Sequence, residues 1–181
     1  MKKKSGWTLF LDRDGVLNHR ISGNYVKHWN EFKFLPNVLT SLKLFNNLFD
    51  HIIIVTNQQG IAKGLMTLED LNRIHSKARK IIRKHGGRID KIYSCIELAN
   101  AANYCRKPAM GMGLDAKKDF PAIDFNKSVM VGDSASDIEF GKNLGMKTIQ
   151  ILHLDSPLYP ADFSCRDLKE FYRIFVHRIL D

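Results

Sequence analysis

The chain has 181 residues, 44% hydrophobic and 26% charged, which is enough for a buried core and ordinary for a globular protein. No apolar stretch is long enough to cross a membrane as a helix, so a membrane partner is not expected. The net charge of +9 admits an anionic partner. The basic residues are scattered over "KKK", "KARKIIRKHGGR" and "CRKP", however, so a basic surface with a phosphate pocket is expected rather than a nucleic-acid interface.

The start, "MKKKSGW", is basic but has no apolar run behind it, and reads as a solvated tail rather than a signal peptide. With no export signal, the expected location is the cytoplasm. Cys95, Cys105 and Cys165 make an odd count that suits a reducing compartment and no disulfide framework.

In chain order, Trp7 to Asp12 reads as a strand that runs into two aspartates, Asp12 and Asp14. After an irregular loop, "LPNVLTSLKLFNNLFD" reads as a helix with Pro36 near its start and Val38, Leu42 and Phe45 at helical spacing. Ile52 to Thr56 is apolar on both faces, as buried parallel strands are, and leads into "NQQGIAKG". Thr67 and Asp70 form a capping box for the next helix, which has Ile74, Ala78, Ile81 and Ile82 on its apolar face and closes at Gly86-Gly87. "IDKIYSC", "SVMVGD" and "KTIQIL" read as three further strands, with "ASDIEFGKNLG" as the helix between the last two. Ser164 and Asp167 read as a final capping box. Strand followed by helix, repeated, predicts an α/β, Rossmann-like three-layer fold with a central parallel sheet. Between Thr56 and Arg106 there is space for one βα unit and a loop, so no large cap domain is expected.

In such folds the ligand crevice lies beyond the carboxyl ends of the strands. Asp12, Thr56 and Asp133 stand at those ends, and the loop after the third strand carries Arg106-Lys107-Pro108. An isolated Asp-x-Asp-Gly is also an ordinary turn. Carboxylates converging from separate loops repel one another without a cation, and hard oxygen ligands with open positions suit Mg²⁺. Response-regulator receivers use similar residues, but their acceptor lies on a later strand than their acidic pair.

The segments "LFLDRDGVL", "IIIVTNQ", "CRKP" and "VMVGDSASD" resemble, in order and in predicted placement, the four motifs of the haloacid dehalogenase superfamily. The resemblance spans nearly the whole chain, so residues 1–181 are expected to form a single hydrolase domain of that kind. It implies a Mg²⁺-dependent phosphatase with Asp12 as nucleophile, Asp14 as general acid and base, and Thr56 and Lys107 on the transferring phosphoryl. The metal set it implies is the Asp12 carboxylate, the Asp14 backbone carbonyl and Asp133, with Asp137 behind them fixing Lys107 or a metal-bound water.

Within the superfamily, "DRDGVLN", "FLPNV", "VTNQQGIAKG" and "CRKPAMGM" resemble the heptose 1,7-bisphosphate phosphatases and histidinol-phosphatases. That resemblance implies a small phosphorylated sugar as substrate, with Thr56, Asn57 and Gln58 contacting it, Arg106 on a second phosphate and Lys107 on the reacting one. Histidinol phosphate, another phosphosugar and a nucleic-acid 3′-phosphate stay open as alternative substrates. Gln59 and Lys63 depart from the usual Ser and Arg. Structural zinc is expected to be absent, because Glu97 and Asn103 replace two of four ligands, leaving Cys95 and Cys105 as ordinary thiols. "ELANAAN" is expected to make a helical turn. In the loop over residues 16–34, Arg20 and Tyr25 are candidate substrate contacts, while Trp29 and Phe32 are expected to pack against the sheet edge. No histidine is assigned a role, and a monomer is expected.

Overall fold

The structure, a computed structural model, describes residues 5–99, 104–154 and 156–180. The expected basic tail at Lys2–Lys4, the 100–103 part of the expected helical turn, and Asn103 lie outside the described residues.

Six strands form one parallel sheet in the order β3-β2-β1-β4-β5-β6. They are β1 (Thr8–Leu11), β2 (His51–Asn57), β3 (Lys91–Cys95), β4 (Ser128–Gly132), β5 (Lys147–Ile151) and β6 (Phe163–Cys165). The helices are α1 (Val38–Phe45), α2 (Leu68–Lys84), α3 (Gly111–Asp119), α4 (Ala135–Asn143) and α5 (Leu168–Ile174). The sheet is the expected Rossmann-like α/β arrangement. Its strand order reverses between β1 and β4, which opens a crevice at their carboxyl ends. Among the described residues no helix is long and apolar enough to cross a membrane.

Alternation along β1 sorts the two layers. Leu9 and Leu11 pack with Leu42 and Phe45 of α1 and Phe171 of α5, whereas Phe10 packs with Met112 and Ala116 of α3 and Phe140 of α4. Successive side chains of a strand point to opposite faces, so a strand covered on both sides is apolar on both, as β1 is from Leu9 to Leu11. The register places Leu11 beside Ile54 and Val131, so β1 and β4 end within one residue of each other while β2 runs three residues further, to Asn57.

Two elements differ from expectation. Helix α3 and strand β6 were not anticipated, and Ser164 lies inside β6, paired with Gln150, rather than capping a helix. The N-cap of α5 is Asp167, whose side chain accepts a hydrogen bond from the Glu170 amide at 2.8 Å. In the loop over 16–34, Trp29 stacks on Phe32 with ring centroids 5.2 Å apart. The pair packs with Leu71, Ile74 and Ala78 of α2 rather than on the sheet edge.

The α1–α5 layer is an aromatic cluster in which Phe171 is fully buried and meets Phe45 edge-on, centroids 5.4 Å apart. Truncating Phe171 to alanine is predicted to cost about 3–5 kcal/mol. Urea unfolding checks this, and a midpoint shift worth under about 1 kcal/mol would show that the layer closes over the gap.

Candidate active site

The neighbouring ends of β1 and β4 bring three carboxylates and one ammonium together. Asp12 follows β1, Asp133 follows β4, and Asp137 sits in the first turn of α4. Each of these three aspartates offers one oxygen, and all three oxygens lie within 4.8 Å of one another. Lys107 reaches them from the loop between β3 and α3. Its Nζ donates to Asp12 Oδ1 at 2.7 Å, to Asp137 Oδ1 at 2.5 Å and to the Val55 carbonyl at 2.7 Å, which engages all three of its protons.

Lys107 is held in place from its backbone as well. Asn57 Nδ2 donates to the Lys107 carbonyl at 3.1 Å, and Asn57 Oδ1 accepts from its amide at 3.0 Å. Cys95 and Cys105 form a disulfide that ties the end of β3 to the residue before Arg106. This corrects the expectation of two ordinary thiols: the two sulfurs face each other across the loop they delimit. A disulfide offers no thiolate, so this pair does not fit a cysteine-based zinc site.

Asp137 works behind the others. Its Oδ2 accepts from the Asp133 and Ser134 amides at 3.2 and 3.0 Å and from Ser134 Oγ at 2.6 Å, as the capping box of α4. With its other oxygen on Lys107, Asp137 is fully engaged, and Asp12 and Asp133 are left to face the crevice. Gly15, at φ +91°, lies against Asp133: a Cβ there would stand 2.1 Å from Oδ2.

Asp14 has different company. The Arg13 guanidinium Nη2 meets both its oxygens at 3.0 and 2.8 Å, Asn18 Nδ2 donates to Oδ1 at 2.9 Å, and Gln58 Nε2 donates to Oδ2 at 2.8 Å. Burial pushes the Asp14 pKa up, but the Arg13 charge and these hydrogen bonds outweigh it and hold the carboxyl below its ordinary range. Arg13 is itself buried, with Nη1 3.2 Å from His75 Nε2. Burial and the guanidinium push that imidazole down to about 3, so it is neutral and accepts from Arg13.

A cavity of about 420 Å³ opens onto this cluster, lined by Asp12, Asp14, Thr56, Lys107, Asp133 and Asp137 among others. Arg20, Tyr25, Asn57 and Arg106 line it too, and Arg20 Nη1 donates to Asp133 Oδ2 at 3.3 Å. Gln58 does not. It is fully buried behind Thr56, to whose Oγ1 it donates at 2.9 Å, and Gln59 takes the wall position instead. Arg13, Asn18, His75 and Lys63 were not among the residues expected at the site, whereas Gln59 was expected to border it. Asn18 had a readable signal, four residues after Asp14; the Arg13–His75 contact, 62 residues apart in sequence, had none.

Two of the three clustered carboxylates, Asp12 and Asp137, share one ammonium. Burial lifts the Asp12 pKa to about 7, the Lys107 charge opposes the rise, and Asp137, Asp133 and Asp14 add to it. Burial, followed by Asp137, also lifts Asp133. The donor set is hard oxygen carrying excess negative charge, which fits a divalent cation such as Mg²⁺.

A pH dependence follows. Without a divalent cation, folded Asp12 keeps its proton up to about pH 7, whereas the unfolded residue releases it near the model-peptide value of about 3.9. The folded state therefore binds more protons over that window, and the group's contribution to stability falls as pH rises from about 4 to about 7, by at most about 1.4 kcal/mol per pH unit. Thermal melts in chelator should show this fall. Asp12→Asn should flatten it, and an equal slope in that variant would contradict the assignment.

Similarity to known proteins agrees with the geometry. The family model described as polynucleotide kinase 3 phosphatase matches residues 8–175. The chain is 38% identical over 138 residues to the D-glycero-alpha-D-manno-heptose-1,7-bisphosphate 7-phosphatase of Mycobacterium bovis, covering 76% of this chain and 73% of that one. It is 33% identical over 165 residues to the D-glycero-beta-D-manno-heptose-1,7-bisphosphate 7-phosphatase of Helicobacter pylori, covering 90% and 93%. The crystal structure of D,D-heptose 1,7-bisphosphate phosphatase from B. bronchiseptica, complexed with magnesium and phosphate, superposes with a TM-score of 0.86 at 27% identity, covering 94% of this chain and 98% of that one. The chain belongs to this family of phosphatases within the haloacid dehalogenase superfamily.

Proposed function

We propose that the protein is a Mg²⁺-dependent phosphomonoesterase that removes the C7 phosphate of a D-glycero-D-manno-heptose 1,7-bisphosphate through an aspartyl-phosphate on Asp12. The observation that carries the chemistry is the Lys107 ammonium on Asp12 Oδ1, a pair that lines the same cavity as Asp14. The names of the relatives carry the substrate, and they include both anomers.

In the first half-reaction an Asp12 oxygen forms a bond to phosphorus as the bond from phosphorus to the sugar oxygen breaks, and Asp14 gives the leaving alkoxide a proton. In the second, water attacks the phosphorus of the acyl phosphate, Asp14 takes the water's proton, and the Asp12 carboxylate is restored. Lys107 and Thr56 balance the charge that spreads over the transferring phosphoryl oxygens. Asp12, Asp133 and the Asp14 carbonyl would hold the Mg²⁺, which supplies further positive charge to the same oxygens. Held ionised by Arg13, Asn18 and Gln58, resting Asp14 is set as the base. Its acid role requires it to leave part of that hydrogen-bond set when substrate enters.

The match to the polynucleotide kinase 3 phosphatase model, together with the +9 charge, favours a second reading, a nucleic-acid 3′-phosphatase. Phosphate release, with and without Mg²⁺, separates the two. The panel holds both heptose bisphosphate anomers, histidinol phosphate, fructose 1,6-bisphosphate and a 3′-phosphorylated oligonucleotide. A Mg²⁺-dependent preference for one heptose anomer is expected. Preference for the oligonucleotide, with rates that fall steeply with salt, would replace this reading with the second. Asp12→Asn should lose about 10³-fold or more in turnover while keeping its fold by circular dichroism. Asp14→Asn should slow breakdown of the phosphoenzyme, and unchanged turnover in either variant would contradict the roles given.

A further inference from the structure

Tyr25, Gln59 and Lys63 form a cluster on the cavity wall that includes none of the groups placed on the reacting phosphate. Gln59 Nε2 donates to Tyr25 Oη at 2.7 Å and Lys63 Nζ donates to the same oxygen at 3.3 Å. Gln59 is fixed at its other end, where Oε1 accepts from the Ala99 amide at 3.1 Å, so its amide bridges the loop over 16–34 and the loop after β3. That acceptance also sets the amide's orientation, because an Nε2 there would face another donor. Gly60 lies under the ring, where a Cβ would come within 3.1 Å of Tyr25 Cγ, and the Lys63 ammonium stands 5.5 Å from the ring centroid.

Two donors on one phenol oxygen fill its acceptor capacity. What remains is the O–H proton, and Tyr25 lines the cavity together with Lys63 and Arg106. A hydroxyl restricted to donating, beside a lysine, favours an anionic acceptor over a neutral hydroxyl, because the hydrogen bond to an anion is charge-assisted and the ammonium adds its own attraction, while a group that can only donate would find no lone pair.

We propose that Gln59 and Lys63 fix Tyr25 as a one-way hydrogen-bond donor to the non-reacting phosphate of the sugar bisphosphate, which makes Tyr25 a specificity-determining residue and Gln59 its positioning residue. This rests on the bisphosphate reading of the site given above.

The test compares kcat/KM for a heptose 1,7-bisphosphate with that for the same sugar carrying the 7-phosphate alone, in wild type, Tyr25→Phe, Gln59→Glu and the double variant. The wild type should prefer the bisphosphate. Tyr25→Phe should lower the bisphosphate-to-monophosphate ratio about tenfold or more, the loss of one hydrogen bond to a charged group. Gln59→Glu keeps the bond to the Ala99 amide but presents Tyr25 with an acceptor, which turns its proton away from the substrate, so the ratio should fall by a similar factor. In the Tyr25→Phe background the same change should have little further effect on the ratio, because there is no proton left to turn.

A Tyr25→Phe ratio equal to wild type overturns the donor role. A Gln59→Glu loss of the same size with and without the Tyr25 hydroxyl overturns the positioning role, because the added charge alone then accounts for it. A wild type that does not distinguish the two substrates overturns the bisphosphate reading and this proposal with it, whereas preserved wild-type preference with an unmoved Tyr25→Phe ratio overturns this proposal alone.

Discussion

Everything at the site depends on one buried ammonium. Lys107 donates to a side chain that follows β1, to a side chain on α4 and to a carbonyl of β2, so one charge fastens three separate elements at the point where the strand order reverses. Burial works against a charged lysine here, and the Asp12 and Asp137 carboxylates outweigh it, keeping the Lys107 pKa above its ordinary value. Removing that charge would leave Asp12 and Asp137 buried side by side without compensation, a loss of about 3–5 kcal/mol for a broken buried pair. The surroundings of Lys107 reflect that cost. The Asn57 amide holds both backbone groups of the residue, and the Cys95–Cys105 disulfide anchors the segment that precedes it.

The same ammonium leaves the site short of positive charge. It serves Asp12 and Asp137 but not Asp133, which is met by a long contact from Arg20, a side chain that is mostly exposed. Asp14 is separated from this group by its own cation, Arg13, which His75 supports from α2. The aspartates of "LDRDG" therefore differ in state although one residue separates them. Asp12 is lifted by burial and by neighbouring carboxylates, and Asp14 is held down by a guanidinium. A nucleophile that responds to an added cation, next to a carboxylate set as a base, is the division of labour that two-step phosphoryl transfer requires.

The fold was legible where apolar runs end in polar residues. "LFL", "IIIV" and "VMV" are apolar throughout because both faces are covered, and the polar residues that follow them mark the crevice. Helix α3 was not legible, because Gly111 and Gly113 in its first turn read as loop; Gly111 is required by close packing, where a Cβ would come within 2.1 Å of the Tyr104 carbonyl oxygen. Strand β6 has three residues, and its Ser164 carried the signature of a cap. The disulfide was hidden by the odd cysteine count, since composition speaks for a compartment and not for which sulfurs the β3 end brings together. Asp12, Thr56, Lys107, Asp133 and Asp137, which the structure gathers around one cavity, follow motif spacing and were readable as a group. What supports them, Arg13 with His75 and Gln59 with Tyr25, depends on contacts between distant segments that no local pattern encodes.

The central claim is that Asp12 carries the phosphoryl group. Borohydride reduction during turnover tests it most directly, because an aspartyl-phosphate is reduced to homoserine where a free carboxylate is not. Peptide mass spectrometry should find homoserine at position 12, with a larger share in the Asp14→Asn variant. Steady phosphate release with unmodified Asp12 in every quenched sample would contradict the account and point to direct attack by water.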